Sequence, residues 1–280
     1  SSLILKCGRS KFNLTTIKTD DFPIITDTDL NTKFIISASE LMRMIDKTKF
    51  AISNEEARHY LNGVFVHKTE KNSIDILRAV ATDGHRLAQY DIPLPQGAEE
   101  MTGLIIPKKT ILELRRVLDD AKGDINISLN ENKIKFNFNN LTIISKVIDG
   151  TFPDYTKVIP KNNDKIFTAK NSELKLAIDR VSALSISEEV KSKAIQFSIE
   201  LNKLLLSVES MSKGSANEEL DINYDKEKVE IGFNSRYLVD ICNEIDGEEI
   251  VIHILDSISP AIILDNSDEN LFFVLMPMRI

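Results

Sequence analysis

The residues with the clearest chemical potential are an aspartate and a histidine two positions apart, within Asp83-Gly84-His85-Arg86. Residues two apart on a β-strand point to the same face, so Asp83 and His85 could form a general-base pair in a hydrolase. No recognisable nucleophile or metal ligand accompanies them. A tight turn is the simpler interpretation, because Gly84 supplies an unusual backbone angle and Asp83 can bond nearby amides. A binding surface built on such a turn is the third possibility.

Signatures of other chemistry are missing from the sequence. It has no glycine-rich phosphate loop, no paired-histidine zinc motif and no serine-hydrolase elbow. The two cysteines, Cys7 and Cys242, are far apart and lack a CxxC partner, so we predict no metal site and no cofactor. Their small number favours a reducing, cytoplasmic compartment. We therefore expect no catalytic residue.

The composition is that of a globular protein. Of 280 residues, 42% are hydrophobic and 28% are charged, which excludes a disordered chain, a collagen and a coiled coil. No apolar run is long enough to span a bilayer and no secretory signal is visible, so we expect no membrane association. The net charge of −8 argues against a uniformly DNA-binding surface, but it permits a basic face on an acidic molecule.

Parts of the sequence recur at a domain-sized interval. Phe22-Pro23 is repeated as Phe152-Pro153, 130 positions later, and Ser39-Glu40-Leu41 is repeated as Ser172-Glu173-Leu174, 133 positions later. Several weak matches in the same order at one period indicate a duplication. The two Phe-Pro pairs fall where linkers are expected, because proline disfavours helix in the residue before it.

The repeat divides the chain into three parts. Residues 1–22 correspond to the closing strands of a further copy, residues 23–153 to one complete domain and residues 154–280 to another. Apolar residues at helical spacing predict helices over 39–51, 108–121, 172–185 and 235–245. The short β-branched runs between them predict strands. We therefore predict α+β domains, each with two helices packed on β-sheet.

The segment from Ala81 to Ala88 resembles the signature of the bacterial DNA polymerase III sliding clamp, the β subunit. Tyr60-Leu61-Asn62-Gly63, the stretch 149–155, Ile231-Gly232-Phe233-Asn234 and the terminal stretch 276–280 agree in the same order. The similarity spans essentially the whole chain. It implies tandem sliding-clamp domains of the processivity fold. It also implies that this chain holds the second and third of three domains plus the end of the first, as a fragment.

The function implied by the resemblance is that of a non-enzymatic replication processivity factor. Family members form a homodimeric ring that encircles double-stranded DNA without sequence preference. They dock replicative and translesion polymerases, the clamp loader, mismatch-repair proteins and ligase through linear peptides. Weak, exchangeable phosphate contacts suit a protein that slides.

The family's peptide-binding groove matches residues from four parts of this sequence. The matching positions are Leu61, Thr82, Gly84, His85, Arg86, Leu87, Pro153, Lys157, Val158, Asn234, Tyr237, Ile258, Pro260, Val274, Leu275, Met276, Pro277, Met278, Arg279 and Ile280. A domain boundary is a natural concave site, and the adaptable methionines suit several partners. Two positions depart from the family pattern: Lys157 replaces an arginine and Pro260 replaces a small polar residue. The stretch from His67 to Asp75 is also slightly long for its hairpin.

Two further surfaces follow from the resemblance. The DNA-facing positions are Arg58, Tyr60, Lys109 and Arg116, with Arg43, Lys47, Lys175 and Arg180 adding to the positive field. The dimer interface matches Phe12 and Leu14 on one side and Ala183 and Leu184 on the other. Ordinary core packing or a solvated helix face remains the alternative for each.

Two rival hypotheses stay open at this point. A hydrolase would lose its activity in a His85→Ala variant. A repeat scaffold without a DNA role would show no salt-dependent DNA association, and Lys109→Glu with Arg116→Glu would change nothing.

Overall fold

The computed structural model describes residues 2–22, 29–121, 123–185, 194–210 and 214–279. An N-terminal hairpin consists of strands β1 (Ser2–Cys7) and β2 (Ser10–Thr15). The first unit contains β3 (Thr32–Ser37), α1 (Ala38–Lys49), β4 (Gly63–Lys71), β5 (Ile74–Thr82), β6 (Arg86–Pro93), β7 (Leu104–Pro107), α2 (Lys108–Leu118), β8 (Asp124–Leu129), β9 (Lys133–Phe138) and β10 (Leu141–Lys146). The second unit contains β11 (Lys165–Lys170), α3 (Asn171–Ser182), β12 (Ala194–Glu200), β13 (Lys203–Ser210), β14 (Gly214–Asp221), β15 (Val229–Asn234), α4 (Ser235–Glu244), β16 (Glu249–Ile254), β17 (Ala261–Asp265) and β18 (Asp268–Leu275).

The strand order shows the internal duplication. The first unit has a four-stranded sheet in the order β10-β9-β8-β3, and the second unit repeats it as β18-β17-β16-β11. The first unit's other four strands, β6-β5-β4-β7, recur as β14-β13-β12-β15. This confirms the predicted tandem α+β fold. The boundaries predicted at 22/23 and 153/154 fall between β2 and β3 and between β10 and β11, and residues 23–28 lie outside the described residues.

One strand pair merges the two units. β18 pairs antiparallel with β6, with Leu271 opposite Tyr90 and Leu275 opposite Arg86, so that two half-sheets become one eight-stranded sheet. Antiparallel ladders satisfy the backbone of both strands along their whole contact. The junction is therefore continuous β-structure rather than a flexible hinge.

The four α-helices of the described ranges form where the apolar spacing predicts them. Each buries one apolar stripe: Leu41, Met44 and Ile45 on α1 and Leu174, Ile178 and Val181 on α3 show the pattern. α1 packs beside α2 and α3 beside α4. Ser37 precedes α1 and forms a capping box with Glu40. The Ser37 side chain accepts a hydrogen bond from the Glu40 amide, and the Glu40 side chain accepts one from the Ser37 amide. The predicted helix ends extend one to three residues too far.

Ion pairs also join the two units. Arg43 on α1 bonds Asp246 at 2.9 Å and Asp268 at 2.8 Å, and Lys47 bonds Asp246 at 2.9 Å. Lys47 is only 5% exposed. The expectation that Lys47 adds to a solvent-facing positive field is therefore wrong, because its ammonium group is buried and paired with Asp246 of the second unit.

A buried ion pair ties β5 to β6 in the shared sheet. Arg78 holds both oxygens of Asp91, at 2.7 and 2.9 Å, and Asp91 is 2% exposed. Paired geometry of this kind offsets the cost of removing both charges from water.

We expect Asp91→Asn to lower the free energy of unfolding by about 3 kcal/mol, because it leaves the Arg78 charge buried without its partner. Urea denaturation measures this. The matched control is Asp75→Asn: Asp75 pairs with Lys68 at 2.9 Å, but its side chain is 44% exposed, so the loss should stay below about 1 kcal/mol. Equal losses of unfolding free energy in the two variants would contradict a stabilising role for the buried pair of Arg78 and Asp91.

Candidate functional site

The turn between β5 and β6 is held by its own side chains. The Asp83 carboxylate accepts from the amides of His85 and Arg86 at 2.9 and 3.0 Å, and the Thr82 hydroxyl accepts from the Gly84 amide at 3.1 Å. Gly84 has φ +89°, which glycine adopts readily. The structure therefore supports the turn interpretation. The Asp83 carboxylate accepts hydrogen bonds within the turn. The His85 ring stacks near Tyr237, with ring centroids 6.4 Å apart.

Arg86 connects this turn to the rest of the molecule. Its guanidinium bonds Asp83 at 3.1 Å, Asp240 of α4 at 2.6 Å and the backbone carbonyl of Phe50 at 2.7 Å. It also lies over the Tyr237 ring, 4.3 Å from the centroid. The side chain is 9% exposed. Arg86 thus positions the turn, with one hydrogen bond from each of its three nitrogens.

The linker between the units packs against the same region. Phe152 stacks on Phe65 with ring centroids 4.8 Å apart, and the one-turn helix Tyr155–Val158 follows. Tyr155 is buried, and its hydroxyl lies 2.9 Å from His67 Nε2. Aromatic stacking of this kind holds a chain segment that has little regular structure of its own.

The last strand approaches from the other unit. The Met276 amide donates to the His85 carbonyl at 2.9 Å, and the Met278 amide donates to the Gly232 carbonyl at 2.7 Å. The chain after β18 is therefore fixed between the turn and β15. Val274 and Leu275 are buried, whereas Met276 is only partly so.

Turn, linker and last strand enclose a cavity of about 250 Å³. We call it the junction groove. Its lining is Arg58, Tyr60, Leu61, Thr82, Gly84, Arg86, Leu87, Pro153, Asp154, Tyr155, Val158, Val274 and Met276. Leu61, Leu87 and Val274 are buried in a small core beneath it, and Val158 is 40% exposed at its edge. An open, mainly apolar groove of this size accepts apolar side chains.

Nine predicted groove residues line the cavity, and the others lie around or beyond it. Leu275 is in the core, and Asn234 caps α4 by accepting from the Arg236 amide at 3.0 Å. Lys157 is 80% exposed beside Asp154, and Ile258 is 77% exposed on a loop. The remaining described positions, which do not line the cavity, are His85, Tyr237, Pro260, Pro277, Met278 and Arg279. The predicted residue Ile280 lies outside the described residues.

The predicted DNA-facing residues are divided between two places. Arg58 and Tyr60 line the junction groove, and Arg58 donates to the Asp83 carbonyl at 3.3 Å. Lys109 and Arg116 are exposed on α2, where Arg116 bonds Glu113 at 2.7 Å. Arg58 and Tyr60 thus belong to the groove by position, and DNA contact by them stays a prediction.

The predicted dimer residues are accessible. The β1–β2 hairpin is exposed along its whole length, and Phe12 and Leu14 are 52% and 47% exposed. Ala183 and Leu184 lie in the short helix Ala183–Ser185 that continues α3.

Sequence reasoning missed three residues that shape the groove. Asp154 and Tyr155 line it directly, and Asp240 holds Arg86. The first two adjoin the Phe-Pro pair and carried a sequence signal. Asp240 lies one helical turn from Tyr237 on an otherwise ordinary helix, so nothing in the sequence marked it.

Burial shifts the pKa of two titratable groups of α4. Burial raises the pKa of Cys242 to about 12, so its thiol stays protonated. Burial also raises the pKa of Tyr237. Within the described ranges, no three histidine, cysteine or acidic side chains cluster as a metal site. None of the helices described there is long and apolar enough to cross a membrane.

Repeated α+β units that share a sheet and hold an open apolar groove at their junction define a binding protein with the clamp fold. Comparisons with known proteins identify which clamp. A family model for the DNA polymerase III beta subunit, central domain, matches residues 35–154, and the model for its C-terminal domain matches residues 156–279. The chain belongs to the DNA polymerase III beta subunit family; it is a DNA sliding clamp, a processivity factor and not an enzyme.

Individual relatives agree. The beta sliding clamp of Caulobacter vibrioides is 42% identical over 278 residues, covering 99% of this chain and 74% of the relative, and the Escherichia coli K12 clamp is 34% identical over the same coverage. The crystal structure of a Caulobacter crescentus beta sliding clamp superposes with a TM-score of 0.94 at 42% identity, covering 100% of this chain and 73% of that one. A Bartonella birtlesii clamp bound to griselimycin gives 0.93 at 41%, covering 100% and 74%.

We expect Asp240→Asn to loosen the turn, because Arg86 loses one of its three anchors. Hydrogen exchange of the Gly84, His85 and Arg86 amides should become about tenfold faster, equivalent to about 1.4 kcal/mol. Asp179→Asn, at an exposed acidic residue on α3, is the control and should leave these amides unchanged. Unchanged exchange in Asp240→Asn would show that Asp240 does not position the turn.

Proposed function

We propose that the junction groove is the docking site for linear peptides of the clamp's protein partners. The observation that carries this is the preformed apolar cavity of about 250 Å³ at the meeting of turn, linker and last strand. Burying one leucine-sized side chain there would contribute about 1.5–3 kcal/mol. The Bartonella birtlesii and Pseudomonas aeruginosa clamps solved with griselimycin support ligand binding by clamps of this fold.

Several partners share this one groove in the proposal. Replicative and translesion polymerases, the clamp loader, mismatch-repair proteins and ligase would each present a short apolar peptide. Met276 at the groove edge suits such variety, because its side chain is flexible and polarizable. Arg86 acts here by fixing the turn, since each of its three nitrogens donates to Asp83, Asp240 or the Phe50 carbonyl.

We further propose that α2 faces double-stranded DNA through Lys109 and Arg116, seven residues apart and so close to one face of the helix. A second copy would close a homodimeric ring through Phe12 and Leu14 against Ala183 and Leu184. Phe12 and Leu14 are 52% and 47% exposed, so both side chains are accessible to such a partner. As a replication protein, the clamp would act in the cytoplasm.

Peptide binding is tested by fluorescence polarisation of a labelled clamp-binding peptide. We expect saturable binding that disappears when residues 276–280 are deleted. Val158→Asp should weaken binding at least tenfold, because it places a charge at the edge of the apolar groove. Leu201→Asp, at a 68% exposed leucine in the β12–β13 turn, is the matched control and should bind normally. No binding by the folded parent chain would overturn the groove assignment.

The DNA proposal predicts weak, salt-dependent association. Lys109→Glu with Arg116→Glu should weaken it at least tenfold at low salt, because two phosphate-neutralising charges are reversed. The control reverses the charges of two exposed lysines elsewhere. Lys203 lies at the start of β13 and Lys228 lies just before β15. Equal losses in both double variants would indicate a general charge effect and contradict a specific role for α2.

A further inference from the structure

We propose that His67 is a positioning residue for the junction groove, and that its protonation releases the linker helix Tyr155–Val158 and weakens peptide binding. His67 itself does not line the groove. It would act through Tyr155, which does. The inference rests on the proposed peptide-docking function and adds a dependence on pH to it.

The His67 ring lies in a column of rings that joins β4 to the linker. It stacks on Phe65 with centroids 4.6 Å apart, and Phe65 stacks on Phe152 at 4.8 Å. Tyr155 meets His67 edge-on with centroids 5.9 Å apart. The linker therefore contacts β4 at two places, through the stack of Phe152 on Phe65 and through the contact between Tyr155 and His67.

The hydrogen bonds define the protonation state of His67. Its Nδ1 lies 3.0 Å from the Lys68 carbonyl, which can only accept, so Nδ1 carries a proton. In the neutral ring Nε2 is then a bare acceptor. The Tyr155 hydroxyl, 2.9 Å away, must donate to it.

The other charged groups around the pair resist a second proton on His67. Arg78 lies near this pair and lowers the pKa of His67, and its guanidinium holds Asp91 through Nε and Nη2. Protonation of His67 would turn Nε2 from an acceptor into a donor, and the Tyr155 hydroxyl proton would lose its acceptor. It would also put an imidazolium ion beside the Arg78 guanidinium, with Asp91 offsetting only part of that repulsion.

The sign of the pH dependence follows from the burial of His67. Burial lowers the pKa of His67 and Arg78 lowers it further, while the bond to the Lys68 carbonyl and Asp91 raise it in part. The folded state thus binds this proton less readily than the unfolded chain. The stabilising arrangement is complete above the unfolded value of about 6.5 and is lost as the pH falls below it.

Protonation of His67 affects the groove through one short segment of the linker. Tyr155 begins the linker helix, and Pro153, Asp154, Tyr155 and Val158 form one wall of the cavity. Loss of the bond from Tyr155 to His67 frees that wall to move. Peptide affinity should then fall with acidification even though His67 never touches the peptide.

The test measures peptide affinity between pH 7.5 and 5.5 with an acetylated, rhodamine-labelled peptide that lacks ionisable side chains. His59, which contacts the linker, and His85 at the turn are first replaced by asparagine, so that their titration does not contribute. In this parent we expect affinity to fall about fivefold to tenfold at pH 5.5. His67→Gln should keep most of the affinity at pH 7.5 and remove the pH dependence, because the glutamine carbonyl accepts from Tyr155 without ionising.

A second variant separates positioning from packing. Tyr155→Phe keeps the ring and removes the hydroxyl, so it should bind several-fold more weakly at pH 7.5 and also show a flat profile. A pH dependence that persists in His67→Gln, or a flat profile in the parent, would overturn the inference while leaving the groove assignment intact. A parent that binds no peptide at pH 7.5 would overturn the groove assignment, and this inference with it.

Discussion

The antiparallel pairing of β18 with β6 is the constraint on which the rest of the structure depends. It joins a half-sheet of each unit into one eight-stranded sheet and sets the register between two units that repeat the same strand order. Arg43 and Lys47 add cross-unit ion pairs to Asp246 beside it. Because a slip of one residue would turn every side chain of the strand over, this pairing also decides which residues face the groove.

The groove follows from that pairing, since its walls come from segments far apart in the chain. The turn at Asp83 contributes one wall, the linker a second and the chain after β18 a third. Arg86 links the first wall to α4 through Asp240, and Tyr155 links the second to β4 through His67. A cavity built this way exists before any ligand arrives, so a peptide does not have to supply the free energy of forming it.

Local pattern predicted the fold well and the site in part. Helical spacing located the four α-helices of the described residues, and the Phe-Pro repeat indicated the tandem units, because periodicity reports directly on which face is buried. The resemblance brought together most of the groove. It did not reveal Asp240 or the His67–Tyr155 bond, which depend on contacts across long stretches of chain. Lys47 was misjudged for the same reason: its ion-pair partner Asp246 lies nearly two hundred residues away in the chain.

The most direct test of this account is a crystal structure of the protein with a short apolar clamp-binding peptide. The account predicts peptide side chains in the junction groove against Leu61, Leu87 and Val158, with β18 still paired to β6 and the turn at Asp83 unchanged. A peptide bound elsewhere, or a groove that forms only by rearranging the turn or the linker, would contradict it.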